Sequence, residues 1–382
     1  MLRHYYFFIL TNHFMKYQWL FFYLSLLQAV TLQAHAQTPP LPLEKINLPP
    51  GFTISIWAEV PDARSMTLGD NGTVFVGSKS AGNVYAITQS SGKRQVRVIA
   101  NKLKEPTGVT FLNGTLYVST PRHILRFRDI EQNLENTVIP EVIPVELLNK
   151  DSQSPGYLAA GPDGRLYLSI IAPCNICEVD PDQFALIASM QPDGSNLEIF
   201  AHGVRHSAGF DWHPTQKTLW FTDISRNWMG DNLPPDELNH ASQKAMHFGF
   251  PYCYGSAVLD PRFGAKRGCE KFTAPVLNLN PHVAPMGMRF YTGSLFPEQY
   301  HQQIFVAESG SWNRREKVGY QIESIQVNNG QVANKQTFAS GWLDNNEAWG
   351  RPIDLLNIPD GSILVSDDIA GVIYNIHYQK PE

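Results

Sequence analysis

Three arginines stand in comparable places along the chain: Arg205 in GVRHSAGFDWHP, Arg314 in ESGSWNR and Arg351 in WGRPID. A guanidinium offers a planar fork of N–H donors that grips a carboxylate through two bonds at once. Brought to one place, three of them would hold a ligand carrying several anionic groups. His206 follows Arg205 directly, and imidazole has the pKa range needed to take a proton from a hydroxyl. A cationic neighbour depresses that pKa and keeps the ring neutral, the state a base requires. The run GDNLPPDELN adds Asp231, Asp236, Glu237 and Asn239, a concentration of polar groups within the longer gap between repeat copies. Asp151 and Ser152 in KDSQSPG lie just ahead of a GPDG turn and the strand RLYLSI. A serine hydroxyl accepts a hydrogen bond, but it takes up no proton near neutral pH unless another group activates it. Each of these residues has a plainer reading too: a surface arginine, a solvated acidic turn, a structural histidine.

Positioning such groups requires a scaffold, and a repeat supplies it. A turn followed by a strand recurs six times, at 68–78, 111–120, 161–170, 213–223, 296–308 and 358–368. Each copy is a turn cluster, then three or four alternating apolar residues, then a small or acidic residue. A second strand opened by glycine follows several copies, as in GNVYAI, GVIYNI and, more loosely, VGYQIESI. Short strands, turn residues and no sustained helical period predict an all-β fold. Units of about 58 residues suit a six-bladed β-propeller, in which loops reach a central channel and carry the function. The gap between the fourth and fifth copies is longer. The surplus near 224–290 reads either as a functional loop or as a surface insertion.

The chain of 382 residues carries a net charge of −5, so nothing in its overall balance attracts nucleic acid. Lys16, the apolar run WLFFYLSLLQAVTLQ and the A-x-A step at Ala34–Ala36 describe a signal peptide over 1–36. Met15 is a candidate for the true start. A membrane anchor is the other reading of this stretch. No later segment is apolar for long enough to span a bilayer. Export to the periplasm or medium would place Cys174, Cys177, Cys253 and Cys269 in an oxidising compartment, where two local disulfides, 174–177 and 253–269, are expected.

The order GVRHSAGFDWHP, WFTD, GDNLPPDELN, HFGFPYC, HVAPMGMRFYTGSLFPEQY, IFVAESGSWNR and GRPIDLLNIPDGSILVSDDIAG resembles the pyrroloquinoline-quinone (PQQ)-dependent sugar dehydrogenases, in the sorbosone or pyranose dehydrogenase branch. The resemblance covers nearly all of the chain beyond residue 36. It implies a six-bladed propeller, a PQQ cofactor whose three carboxylates are held by basic side chains, and a calcium ion. Arg205 matches the cofactor arginine of the family's G-x-R-N motif; Arg351 and Arg314 fall in segments that contribute further basic groups. Backbone carbonyls just before D-E-L-N hold the calcium in the family, pointing to Gly230, Asp231 and Asn232. A sugar substrate and an external electron acceptor are implied as well.

Three positions depart from the family. Its catalytic histidine, within Asp-His-Gln-Ser, is Ser152 here; the asparagine of G-x-R-N is His206; the histidine of E-H-G-S-W-N-R is Ser309. Oxidation of a sugar hydroxyl needs a base, and three expectations compete. His206 takes over that role, with Asp151 as another candidate if the loop rearranges. The cofactor binds but turnover is weak or lost. The propeller binds another metabolite without quinone. A calcium-dependent lactonase, also six-bladed, is the alternative hydrolase class.

Overall fold

The computed structural model describes residues 40–380 except positions 91, 137, 146–155 and 329. From Pro42 onward the chain forms one compact unit. It is an all-β, six-bladed propeller, as the repeat predicts. The six repeat copies become the second strands of the six blades: Val74–Ser78, Thr115–Ser119, Leu166–Ile170, Leu219–Asp223, Ile304–Glu308 and Ile363–Asp367. All six are buried along their whole length. The turn chemistry explains why each copy starts where it does. In GPDG and IPDG the last glycine takes a left-handed backbone, Gly164 at φ 74° and Gly361 at φ 86°, a conformation open to glycine at little steric cost.

First strands line the ring. They are Ala63–Leu68, Gly108–Leu112, Leu158–Ala160, Phe210–Trp212, Pro285–Phe290 and Pro352–Asn357, and they pack on one another between most neighbouring blades. The gaps between neighbouring sheets are filled by separate apolar clusters, for example Tyr117, Ile124, Leu158 and Leu166 between blades 2 and 3. Between blades 5 and 6 the filling is aromatic: Phe52 meets Phe296 at 4.7 Å and Phe338 at 4.9 Å edge to face, a geometry the ring quadrupoles favour.

Two features of the topology go beyond the repeat. Blade 6 takes its outer strand, Phe52–Glu59, from the other end of the chain, paired antiparallel to Val372–Tyr378. This closes the ring with segments from both ends of the propeller sequence and covers a sheet edge. The stretch 224–290 holds the third and fourth strands of blade 4, Glu237–Ala241 and Leu277–Asn278. It also sends Met246–His247 across to pair parallel with the outer strand of blade 3. Both expected disulfides are present, Cys174–Cys177 and Cys253–Cys269. Among the described residues no helix is long and apolar enough to cross a membrane.

Candidate functional site

The residue that ends each second strand faces the start of a neighbouring first strand, and its polarity decides what it holds there. In blade 4 this residue is Asp223. Its carboxylate accepts the backbone N–H of Arg205 at 2.8 Å and of His206 at 2.6 Å. In blade 6 it is Asp367, which accepts the N–H of Arg351 at 2.8 Å. Serines near the same strand end do the equivalent work in the smaller blades: the Ser169 hydroxyl accepts the N–H of Tyr157 at 2.8 Å and donates to the Ser207 carbonyl at 2.8 Å. In blades 2, 4 and 6 the small or acidic residue ending the second strand, and in blade 3 the serine just before its end, is therefore a clasp for a segment that leads into the channel.

Those lead-ins enclose an axial cavity of about 260 Å³ to which all six blades contribute. Blade 1 supplies Arg64 and Lys79, blade 2 Glu105 and Thr107, blade 3 Tyr157, blade 4 His206, blade 5 Met286 and Ser309, and blade 6 Arg351 and Asp354. The volume lies near the lower end for small-molecule pockets, about 300 Å³.

The cationic groups are unevenly paired. Asp368 is shared, taking Nε and Nη2 of Arg351 at 2.5 and 2.8 Å and Nη1 of Arg64 at 2.5 Å. Burial disfavours charge on Asp368, but the two arginines outweigh it and hold the carboxyl below its ordinary range. On Arg351 burial likewise opposes the charge, and the Asp368 pair more than offsets it. No carboxylate among the described residues reaches ion-pair distance of the Lys79 ammonium. Two acidic oxygens at the cavity, Glu105 Oε2 and Asp354 Oδ1, are buried without a hydrogen-bond partner among the described residues. The other oxygen of Asp354 accepts the N–H of Met66 at 2.9 Å, tying blade 6 to blade 1.

His206 sits among these charges. Burial, then the positive charges of Arg205, Arg64 and Lys79, push its imidazole down to about 3. The ring is neutral at any physiological pH and keeps a free acceptor nitrogen, yet its proton affinity is low for a general base.

The structure brings His206 and Arg351 together at the cavity and places Arg205, Arg314, Gly230, Asp231 and Asn232 outside its lining. Arg205 does not line it. Its Nε and Nη2 donate to the backbone and side-chain oxygens of Asn175 at 3.1 and 3.2 Å, and Nη1 to the Ile224 carbonyl at 2.9 Å. Burial lowers its pKa. Arg314 donates to the carbonyls of Glu316 at 3.1 Å and Pro281 at 3.4 Å, outside the cavity lining. Gly230, Asp231 and Asn232 form an exposed turn, with the Gly230 carbonyl 2.8 Å from His282 Nε2. Among the described residues no three His, Cys, Asp or Glu side chains converge as a metal site. Asp236 is committed to loop closure, accepting the N–H groups of Ser225 at 2.8 Å and Ala284 at 2.9 Å. Glu237 likewise accepts from Gly255 at 2.6 Å and Asn239 at 2.9 Å. Asp151 and Ser152 lie outside the described residues.

Sequence reasoning missed Arg64, Lys79, Asp354 and Asp368. A usable signal existed for two of them: Lys79 and Asp368, like Ser309, are the first residues after a second strand, so the register of the six copies points all three toward one end of the channel.

Comparison with known proteins agrees with this architecture. A family model described as TrAA12-like matches residues 262–379. An uncharacterized protein of Borreliella burgdorferi is 31% identical over 373 residues, covering 93% of this chain and 95% of its own. Among solved structures, a Trichoderma reesei protein of carbohydrate-active enzyme family AA12 superimposes with a TM-score of 0.72 at 20% identity, over 87% of this chain and 98% of that one. The holo PQQ domain of pyranose dehydrogenase from Coprinopsis cinerea gives 0.72 at 16%, over 87% and 97%. The PQQ-bound aldose sugar dehydrogenase of Streptomyces coelicolor gives 0.59 at 16%, over 87% and 100%. These structures share the fold. The chain belongs to one family with the Borreliella protein, matched over 93% of this chain, and its last blades carry the TrAA12-like region.

Proposed function

We propose that the protein is a PQQ-dependent oxidoreductase that oxidises a hydroxyl of an aldose or related sugar and hands the electrons to an external acceptor. One observation carries the reading: Arg64, Lys79 and Arg351 approach the same axial cavity as a neutral His206. Lys79 in particular is a cation without an ion-pair partner among the described residues, which suits a ligand bearing carboxylates. The residues therefore fit the anionic side of the quinone. Arg64, Lys79 and Arg351 would hold its carboxylates, and Arg205, fixed by Asn175, would add positive potential from behind His206. When bound, the quinone supplies the two-electron acceptor for hydride.

The chain's own part is to orient the sugar and move its hydroxyl proton. His206 is the acceptor present in the cavity. Its depressed pKa has two electrostatic sources that an anionic ligand would neutralise, Arg64 and Lys79, so loading the site would raise its proton affinity toward the working range. Asp151 and Ser152 remain the other candidates. The backbone carbonyls of Gly230, Asp231 and Asn232 would hold calcium; support comes from a Trichoderma reesei family AA12 structure determined with calcium. Two disulfides fit an oxidising compartment, the periplasm or the medium.

One observation favours a second reading, a metabolite-binding propeller without turnover: Asp368 already takes the forked face of Arg351. A single series separates the two. Adding PQQ and calcium to the purified protein is expected to raise its melting temperature and to give dye-linked sugar oxidation that His206→Asn abolishes. A thermal shift with no oxidation, restored by Ser152→His, would establish the impaired form, and no shift at all would remove the quinone reading.

A further inference from the structure

Two tryptophans, Trp228 and Trp312, are 68% and 67% exposed, whereas the other described tryptophans are buried or half-buried. They come from different loops, one following the second strand of blade 4 and the other that of blade 5, yet their rings meet at 5.6 Å and 86°. Two aromatic planes at a right angle make a corner open to solvent. Trp228 holds its place with φ at 71°, a left-handed backbone that costs a bulky residue strain and tends to mark function.

The corner stands on a ladder of amides. Asn313 Nδ2 donates to Asn227 Oδ1 at 3.0 Å, the Asn227 N–H donates to Asn175 Oδ1 at 2.8 Å, and Asn175 Nδ2 donates to the Asn227 carbonyl at 3.0 Å. The remaining oxygen of Asn313 is buried and has no partner among the described residues. Trp312 lies three residues beyond Ser309, which lines the axial cavity, so no more than about 10 Å of chain separates them. An exposed indole face beside amide donors and acceptors is the chemistry that recognises a pyranose, whose ring presents C–H groups on its faces and hydroxyls at its rim.

We infer that Trp228 and Trp312 form a pyranose-stacking platform at the mouth of the channel, with Asn313 taking a ring hydroxyl. The ring it holds is a neighbour of the reacting sugar, which makes the preferred ligand a glycan of two or more units. Only the identity of the reacting unit rests on the proposed dehydrogenase activity; the platform itself does not.

The test is calorimetric titration of the purified protein, without added quinone, using cellobiose and glucose as probes. Cellobiose is expected to bind more tightly than glucose. Trp228→Ala and Trp312→Ala should each weaken it about tenfold or more, while Trp312→Phe, which keeps an aromatic face, should lose less. Melting temperatures of the variants within a few degrees of wild type would show the fold intact, as expected for exposed side chains. Absence of saturable cellobiose binding by wild type, or equal affinity in both alanine variants, would overturn the platform. The thermal shift with PQQ on wild type decides the redox reading separately, so either can fail while the other stands.

Discussion

The carboxylate of Asp223 accepts the backbone N–H groups of two consecutive residues, Arg205 at 2.8 Å and His206 at 2.6 Å. The clasp sets the direction in which the two side chains leave the chain: His206 to the cavity, Arg205 to Asn175. Burial raises the Asp223 pKa while these N–H bonds and Arg205 pull it back, so the group holds its partners at a desolvation cost. Asp223→Ala would leave two buried donors unmatched and is expected to destabilise the protein by ~2–4 kcal/mol. Asp223→Asn keeps one acceptor oxygen and should cost about half as much. Urea denaturation measures both, and an alanine variant as stable as wild type would show that the clasp is dispensable.

Stability should depend on pH in two opposite ways. Glu308 is pushed up to about 8, and Asp236 and Asp367 to about 7, burial being the largest cause in each. In the unfolded chain such groups ionise near pH 4, about their ordinary value. The folded state therefore keeps protons that the unfolded state has released, and its stability, full below about pH 4, declines as pH rises through 7 and 8. His206, pushed down to about 3, acts in reverse. Its unfolded form gains a proton as pH falls through about 6.5, so stability also drops from there toward pH 3. Glu308→Gln is expected to flatten the alkaline limb by ~1–3 kcal/mol and leave the acid limb alone; His206→Asn should do the opposite. Denaturant midpoints across the pH range check both, and an unchanged alkaline slope in Glu308→Gln would refute the assignment.

The fold was legible because the propeller repeats a local pattern. Each copy carries its own turn residues and its own buried strand, and both act over about ten residues, within reach of sequence periodicity. Phe52–Glu59 escaped that reading because its partner, Val372–Tyr378, lies at the other end of the chain; only closure of the ring brings them together. The site was legible where a residue's role follows from its place in a copy. His206 and Arg351 precede first strands and reach the cavity. Arg205 and Arg314 were read from residue type, place in the repeat and likeness to the family motif, and none of these can show that carbonyls of Asn175, Ile224, Glu316 and Pro281 already engage their guanidinium groups. Arg64 and Lys79 went unread because the motifs that carried the resemblance all lie from residue 203 onward, in the later blades.

Asp368 bridges Arg64 and Arg351 and so competes with any anionic ligand for both. Asp368→Asn removes the charge and keeps the shape. Two cations would then face the cavity less well compensated, and affinity for a polyanion such as PQQ should rise about tenfold, with a loss of ~1–3 kcal/mol in stability from weakening a buried pair. Calorimetric titration and denaturation measure the two effects. Weaker binding in the variant would mean that Asp368 orients the arginines rather than competing for them.

Cys174 and Cys177 close a loop around Asn175, and Asn175 alone engages Arg205 through both its backbone carbonyl and its side chain, at 3.1 and 3.2 Å. The same side chain receives the N–H of Asn227 and returns a bond to its carbonyl, so one small loop fixes both Arg205 and the segment leading to Trp228. Closing so short a loop stabilises by about 2 kcal/mol in the chain-entropy picture, and Cys174→Ser with Cys177→Ser should lower the melting temperature by a few degrees. Asn175→Ala leaves the disulfide and removes only the side-chain bonds. If Arg205 contributes its charge to the cavity from a fixed position, removing the side-chain bond, one of its three anchors, should loosen it beside His206 and raise the histidine's pKa above about 3. NMR titration of the His206 ring reads this directly. A pKa unmoved in Asn175→Ala, alongside a lowered melting temperature, would confine Asn175 to holding the fold.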